Sequence, residues 1–138
     1  MSEPTDRFVL DSNIVSRIVR RDARVILRLA AAIRANAEIY LCPVVYYEVR
    51  RGLLDRSAVR QLQEFDRLAD ALLWVDLERS MWERAAEMWV ACRRCGRPHD
   101  DDADLLIAAY TSHLRAVLVT NNTNDFLDLE VPLVDWLA

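Results

Sequence analysis

The stretch DLLIAAYTSHLRAVLVTNNTNDF, residues 104–126, decides how this chain folds. Within it Leu105, Ile107, Ala108, Ala109 and Leu114 give a helical apolar face, and Asp104 supplies the acidic start that a helix N-terminus favours. Ala116-Val117-Leu118-Val119 then reads as a buried strand, being short, apolar and β-branched. A polar turn follows, ending in Asp125-Phe126. One carboxylate therefore opens the helix and another lies beyond the strand. In an open parallel α/β sheet, ligands bind in the crevice beyond the carboxyl ends of the strands, which makes other acids in equivalent places worth finding.

The same alternation recurs on the N-terminal side. Phe8-Val9-Leu10 is a short apolar run ending in Asp11-Ser12-Asn13, after which Ile14, Ile18 and Val19 restart at helical spacing. Residues 22–37 carry Val25, Ile26, Leu29 and Ile33 on one side and Arg24, Arg28 and Arg34 on the other, an amphipathic helix with an arginine face. Ile39-Tyr40-Leu41 is a second strand, closed by Cys42-Pro43, with Pro43 suited to the first position of a helix over residues 43–54. A further helix is expected over residues 55–71, a third strand over 72–77, and a helix rich in Met and Trp over 78–95. Gly96-Arg97-Pro98 breaks that pattern, and Val131-Pro132-Leu133-Val134 closes the chain as an edge strand. Strands alternating with helices predict a three-layer α/β/α sandwich with a mostly parallel sheet.

Composition narrows the possible functions. At 138 residues the chain fits a single domain, of a size that hides roughly 70% of its unfolded surface. A net charge of −4 excludes a polycation that coats nucleic acid by bulk charge. All 18 basic residues are Arg, whose planar fork suits phosphate and carboxylate. Three cysteines give no disulfide framework. Cys92 and Cys95 with His99 offer half a zinc site, which Cys42 or His113 would have to complete, and buried or idle thiols are the simpler reading. The opening MSEPTDRF lacks a charged-then-apolar leader, and no run approaches the roughly 18 apolar residues of a membrane helix. A cytoplasmic protein without membrane partners is expected.

Four acids fall where a parallel sheet would gather them. Asp11 follows the first strand, Glu48 lies in the helix after the second, Asp104 opens the helix into the fourth, and Asp125 lies beyond it. Each has a bland explanation as well: Asp11 as a helix cap, Glu48 as a solvated neighbour of Arg50 and Arg51. If the first and fourth strands adjoin, all four carboxylates face one cleft. Two such charges about 4 Å apart repel by roughly 4 kcal/mol at an effective dielectric near 20, so protons or a cation must intervene. Oxygen-only donors suit Mg²⁺ or Mn²⁺, and the chemistry that follows is metal-assisted phosphodiester hydrolysis.

Leu10-Asp11-Ser12-Asn13, the segment YEVRRGL at 47–53, DLLIAA at 104–109 and LVTNNTNDF at 118–126 together resemble the motifs of PIN-domain ribonucleases, and within them the VapC-type toxins of bacterial toxin–antitoxin pairs. The resemblance implies a five-stranded parallel sheet, Mg²⁺- or Mn²⁺-dependent endoribonuclease activity on an RNA substrate, homodimerisation, and inhibition by a cognate antitoxin. Position by position it assigns Asp11, Glu48 and Asp104 to the three family acids and Asp125 to a fourth. It assigns Asn13, Thr120 and Asn121 to polar residues that support the site. Some relatives place the fourth acid at the position of Asn122, and the crowded Asp100, Asp101 and Asp102 offer an alternative to Asp104, Asp102 first among them. Two other enzymatic or binding readings stand beside this one: an RNA-processing nuclease without an antitoxin, and a catalytically inactive RNA- or protein-binding module. A phosphatase-like use of Asp11 as nucleophile is disfavoured by Asn13 and by the absence of Lys.

Overall fold

The computed structural model describes residues 5–138; residues 1–4, part of the segment read as lacking a leader, lie outside the described residues. Four strands, β1 (Arg7–Leu10), β2 (Glu38–Tyr40), β3 (Val117–Val119) and β4 (Leu133–Val134), form one sheet in the order β2-β1-β3-β4. Every pairing is parallel. In the central pair Val9 lies opposite Leu118 and Leu10 opposite Val119. All four of these side chains are fully buried, each worth about 1.5–3 kcal/mol relative to exposure. From β1 the chain moves to β2 on one side, and from β3 to β4 on the other. The strand order therefore reverses between β1 and β3, the place where an α/β sheet opens a crevice at its carboxyl edge.

Helices flank the sheet in two groups. Between β1 and β2 come α1 (Ser12–Val19) and α2 (Ala23–Arg34); between β2 and β3 come α3 (Pro43–Asp55), α4 (Val59–Ala71), α5 (Arg79–Arg94) and α6 (Asp102–His113). α1 packs on α2, α3 and α4, while α5 packs on α6, and a 3-10 helix (Thr123–Leu129) after β3 lies against both α5 and α6. Ile107, Ala108, Ala109 and Tyr110 of α6 are fully buried, so this helix is enclosed on more than one side. No helix of the described residues is long and apolar enough to cross a membrane.

The expected five-stranded sheet is corrected to four strands. Of residues 72–77, read as a strand, only Leu73 joins the sheet, through a parallel bridge to Tyr40. The Leu73 N–H donates to the Ile39 carbonyl at 2.8 Å, and the Leu41 N–H donates to the Leu73 carbonyl at 2.9 Å. Local hydrogen bonds then lead the chain away: Trp74 Nε1 donates to Asp76 Oδ1 at 2.7 Å, and the Val75 carbonyl accepts the Tyr110 hydroxyl at 3.0 Å. Leu73 and Trp74 are left about half exposed, 44% and 49%. An apolar run thus lies at the sheet's edge without extending it.

The ends of the helices also differ from the sequence reading. Arg21, Asn36, Ser57, Gly96 and Arg115 adopt left-handed backbone just after α1, α2, α3, α5 and α6. Each closes its helix with the paired return bonds of a Schellman turn; after α3, the Ser57 N–H reaches the Leu54 carbonyl and the Ala58 N–H reaches the Leu53 carbonyl. This turn is why the helix expected from residue 55 begins at Val59. Only Gly96 and, more weakly, Asn36 have a residue type that marks such a stop in sequence.

Candidate active site

Asp11 sits at the end of β1 and caps α1. Its backbone N–H donates to the Val119 carbonyl at 2.9 Å, so the β1–β3 pairing itself fixes where the carboxylate lies. The side chain is 3% exposed and accepts three hydrogen bonds: from the Ser12 N–H at 2.8 Å, Thr120 Oγ1 at 2.9 Å and Asn13 Nδ2 at 3.1 Å. The network is closed from the far side. Asn13 Nδ2 also approaches Thr120 Oγ1 at 3.3 Å, the Asn122 N–H donates to Thr120 Oγ1 at 3.0 Å, and the Asn121 N–H donates to Asn13 Oδ1 at 3.3 Å. Asn121 enters through its backbone. Every neutral donor around Asp11 comes from α1 or from the residues directly after β3.

Around this centre stand further acids. Glu48 projects from the middle of α3 and is half-buried, while Asp104 is in the first turn of α6 with a side chain 17% exposed. Asp101 caps α6, accepting from the Ala103 N–H at 2.9 Å. Asp125 is exposed in the 3-10 helix. His99 reaches in between them: Nε2 lies 2.8 Å from the Asp125 carbonyl and 3.7 Å from Asp104 Oδ2, and Nδ1 accepts the Asp101 N–H at 3.2 Å.

These groups alter one another's protonation. Burial raises the Asp11 carboxyl above its ordinary value, against the Ser12, Thr120 and Asn13 hydrogen bonds, and the charge of Asp125 adds to the rise. Burial raises Glu48, as do the charges of Asp11 and Asp101, while Arg51 opposes them. Asp104 is pushed up to about 7, by burial first and then by Asp101 and Asp11, with His99 opposing and Asp125 reinforcing. Even the Cys42 thiol beside them is pushed up to about 12, chiefly by burial, with Asp11 and Glu48 contributing. Asp11, Glu48 and Asp104 thus sit where burial and neighbouring acids disfavour their negative charge, the condition that a bound cation relieves.

The sheet brings Asp11, Asn13, Thr120, Glu48, Asp104 and Asp125 into one neighbourhood, with Asp125 outermost. Asp102, the alternative to Asp104, is exposed on the first turn of α6, beside a groove that Tyr47, Arg51 and Leu106 also line. His99, considered with Cys92 and Cys95 as half a zinc site, faces the acids instead; Cys42 and Cys92 are buried free thiols and Cys95 is exposed. Asp101, one of the crowded acids offered as an alternative to Asp104, belongs to this environment, and its place as an N-cap before an apolar helix is a local signal. One residue escaped the sequence reading. His99 had no such signal, because its partners are 26 residues away or reached through backbone atoms.

Among the described residues no group of three or more His, Cys, Asp or Glu side chains is placed to hold a metal ion. The donor chemistry still fits a hard divalent cation. Mg²⁺ is commonly held by one or two carboxylates, keeping several waters and meeting substrate phosphates, rather than by an all-protein cage. Asp104, whose carboxyl feels the charge of Asp11, and Asp11 itself are the residues that would hold it, with Glu48 and Asp125 beside them.

Comparison with solved structures places this architecture among known ones. VapBC2 from Rickettsia felis, bound to a DNA fragment from their promoter, superposes with a TM-score of 0.84 at 22% identity, covering 94% of this chain and 98% of that one. VapBC-1 from nontypeable Haemophilus influenzae gives 0.82 at 19% identity, covering 96% and 99%. A toxin–antitoxin complex from Klebsiella pneumoniae gives 0.69 at 19% identity, covering 91% and 94%. A search of the curated proteins finds no match. The sequence matches the family described as PIN domain over residues 8–131, which runs from β1 and Asp11 past the 3-10 helix and Asp125. With the motif, the strand order and the family match in agreement over nearly the whole chain, this protein belongs to the PIN domain family.

Proposed function

We propose that the chain is a divalent-metal-dependent endoribonuclease acting as the toxin of a toxin–antitoxin pair. The observation that carries this reading is the set of carboxylates Asp11, Glu48 and Asp104, each raised by burial and by neighbouring acids, at the reversal point of a parallel sheet, with the charge of Asp125 acting on Asp11 and Asp104. Bound Mg²⁺ or Mn²⁺ would polarise a phosphoryl oxygen and make an attacking water more acidic. Asp11 is held rigid by three donors and serves as the fixed ligand, oriented by Thr120 and Asn13. Asp104, with its carboxyl near 7, is poised to lose a proton when a cation arrives or to take one from water. Glu48 and Asp125 complete the negative rim that draws in the metal, and the start of α1 adds partial positive charge toward the phosphate.

The likeness to VapBC and toxin–antitoxin structures of the same size supports the toxin assignment and an antitoxin partner. A cognate antitoxin, a homodimer and a larger toxin–antitoxin assembly are the expected partners, with RNA as substrate. The deciding experiment is cleavage of a structured RNA pool by purified protein, freed of any co-purified inhibitor, in Mg²⁺, Mn²⁺ or EDTA. Asp11→Asn and Asp104→Asn run beside it. Metal-dependent cuts, lost in both variants, are expected. Cleavage undiminished in both variants defeats the assignment, and RNA binding without cleavage in any metal would replace it with the binding-module reading.

A further inference from the structure

We infer that His99 is a positioning residue of this site, clamping the 3-10 helix that carries Asp125 onto the start of α6 so that the spacing of Asp104 and Asp125 is held fixed. The inference rests on the proposed metal site and deepens it.

The hydrogen bonds define the ring's state. Nδ1 accepts the Asp101 N–H at 3.2 Å, so it carries a lone pair and the proton of the neutral imidazole resides on Nε2. Nε2–H then donates to the Asp125 carbonyl at 2.8 Å, across 26 residues of sequence. A single ring therefore holds the α6 cap on one nitrogen and the Asp125 backbone on the other. Its side chain is only 16% exposed, and its Nε2 edge lies 3.7 Å from Asp104 Oδ2.

A second tie runs between the same two segments: Arg97 Nη1 pairs with Asp128 Oδ1 at 2.9 Å, with the arginine 72% exposed. The exposed rung should matter little, since surface ion pairs are weak. The sheltered His99 rung has its two neighbours, Asp101 and Asp125, in the acidic environment itself. In metal sites, groups that orient ligands without touching the ion are commonly worth 10–100-fold in affinity.

The test compares wild type, His99→Leu, His99→Gln and Arg97→Ala. It reads Mn²⁺ affinity by calorimetry, amide hydrogen exchange of residues 123–129 without metal, and single-turnover RNA cleavage. Gln keeps a terminal N–H that can donate to the Asp125 carbonyl; Leu does not. His99→Leu should weaken Mn²⁺ binding by about 10–100-fold and speed exchange in the 3-10 helix, with His99→Gln and Arg97→Ala staying within about threefold of wild type. The inference is overturned if a folded His99→Leu binds Mn²⁺ within that threefold, if Gln is as weak as Leu, or if wild type binds no Mn²⁺ at millimolar metal. Failure of the nuclease reading looks different: wild type cuts no RNA, while affinity and exchange still rank the variants as described.

Discussion

Two aspartates begin two successive helices in the same way and end in opposite electrostatic states. Asp11 caps α1 and Asp22 caps α2, each accepting a backbone N–H, from Ser12 at 2.8 Å and from Arg24 at 3.1 Å. Asp22 is then met by guanidinium groups, Arg17 at 3.0 Å and Arg24 at 3.3 Å. The Arg24 hydrogen bond, with Arg17 adding to it, holds its carboxyl below the usual range. Asp11 receives only neutral donors beyond the backbone, and burial and Asp125 push it the other way. Among the described residues no basic side chain pairs with Asp11, in a chain with 18 arginines. Capping accounts for a carboxylate at either place. It does not account for leaving one of them buried and without a countercharge.

The sharpest way to break this contrast is to neutralise each cap in turn. Asp11→Asn keeps a capping oxygen and should lower RNA cleavage by more than about 100-fold, because losing a ligand exceeds the 10–100-fold usual for groups behind it. Asp22→Asn should leave cleavage unchanged. Equal losses in the two variants, measured as single-turnover rates on one RNA, would mean that Asp11 acts only through the helix it starts.

Thr120 tests the neutral half of the contrast. Its hydroxyl donates to Asp11 Oδ2 at 2.9 Å from a fully buried position, and Val fills nearly the same space without the proton. Thr120→Val should weaken Mn²⁺ binding and slow cleavage by about 10–100-fold. An unchanged Mn²⁺ affinity in calorimetry would show that Asn13 and Ser12 orient Asp11 sufficiently alone.

A pH series probes the same environment through Asp104. Its carboxyl, ordinarily 3.8, is raised to about 7 in the fold, so the folded state holds a proton that the unfolded chain has released between those values. Stability from this group is therefore full below about 4 and lost as pH rises through about 7. The metal-free protein should melt lower at pH 8 than at pH 6, a slope that Asp104→Asn should flatten. Mn²⁺ needs the ionised form, so affinity should rise about tenfold over the same interval, with proton release on binding. A pH-independent affinity from calorimetry in two buffers would place Asp104 outside the metal's reach.

How much of this the sequence disclosed follows from which forces act locally. β1, β3 and the acid-bearing positions stood out because buried strands and helix starts have local signatures, as in Val117-Leu118-Val119 and Asp11-Ser12-Asn13. The adjacency of β1 and β3 is only a condition in the sequence, since no local pattern fixes strand order, and the β1–β3 pairing supplies it. Residues 72–77 misled because apolar content does not distinguish a strand from an edge segment whose carbonyl, at Val75, is claimed by Tyr110. Helix ends at Arg21, Ser57 and Arg115 were hidden because left-handed stops there lack glycine or asparagine. His99 was hidden for a third reason: its meaning lies in two backbone groups that the fold alone brings to the ring.

The smallest effect expected belongs to the cap that has its arginines. Asp22→Ala removes the side chain that accepts the Arg24 N–H and receives Arg17, and cleavage should not change. Melting temperature at pH 7 should fall by a few degrees, as for loss of a helix cap. Because the folded carboxyl lies below its unfolded value of 3.8, its contribution is present above that value and is lost as pH falls through the lower one. The gap between wild type and Asp22→Ala should therefore narrow on acidification, whereas Asp11→Asn should melt no lower than wild type at pH 7, since it relieves a buried charge. Melting curves of both variants at pH 7 and pH 3 test this directly. A large fall for Asp11→Asn and none for Asp22→Ala would reverse the roles of the two caps, making Asp11 the structural one.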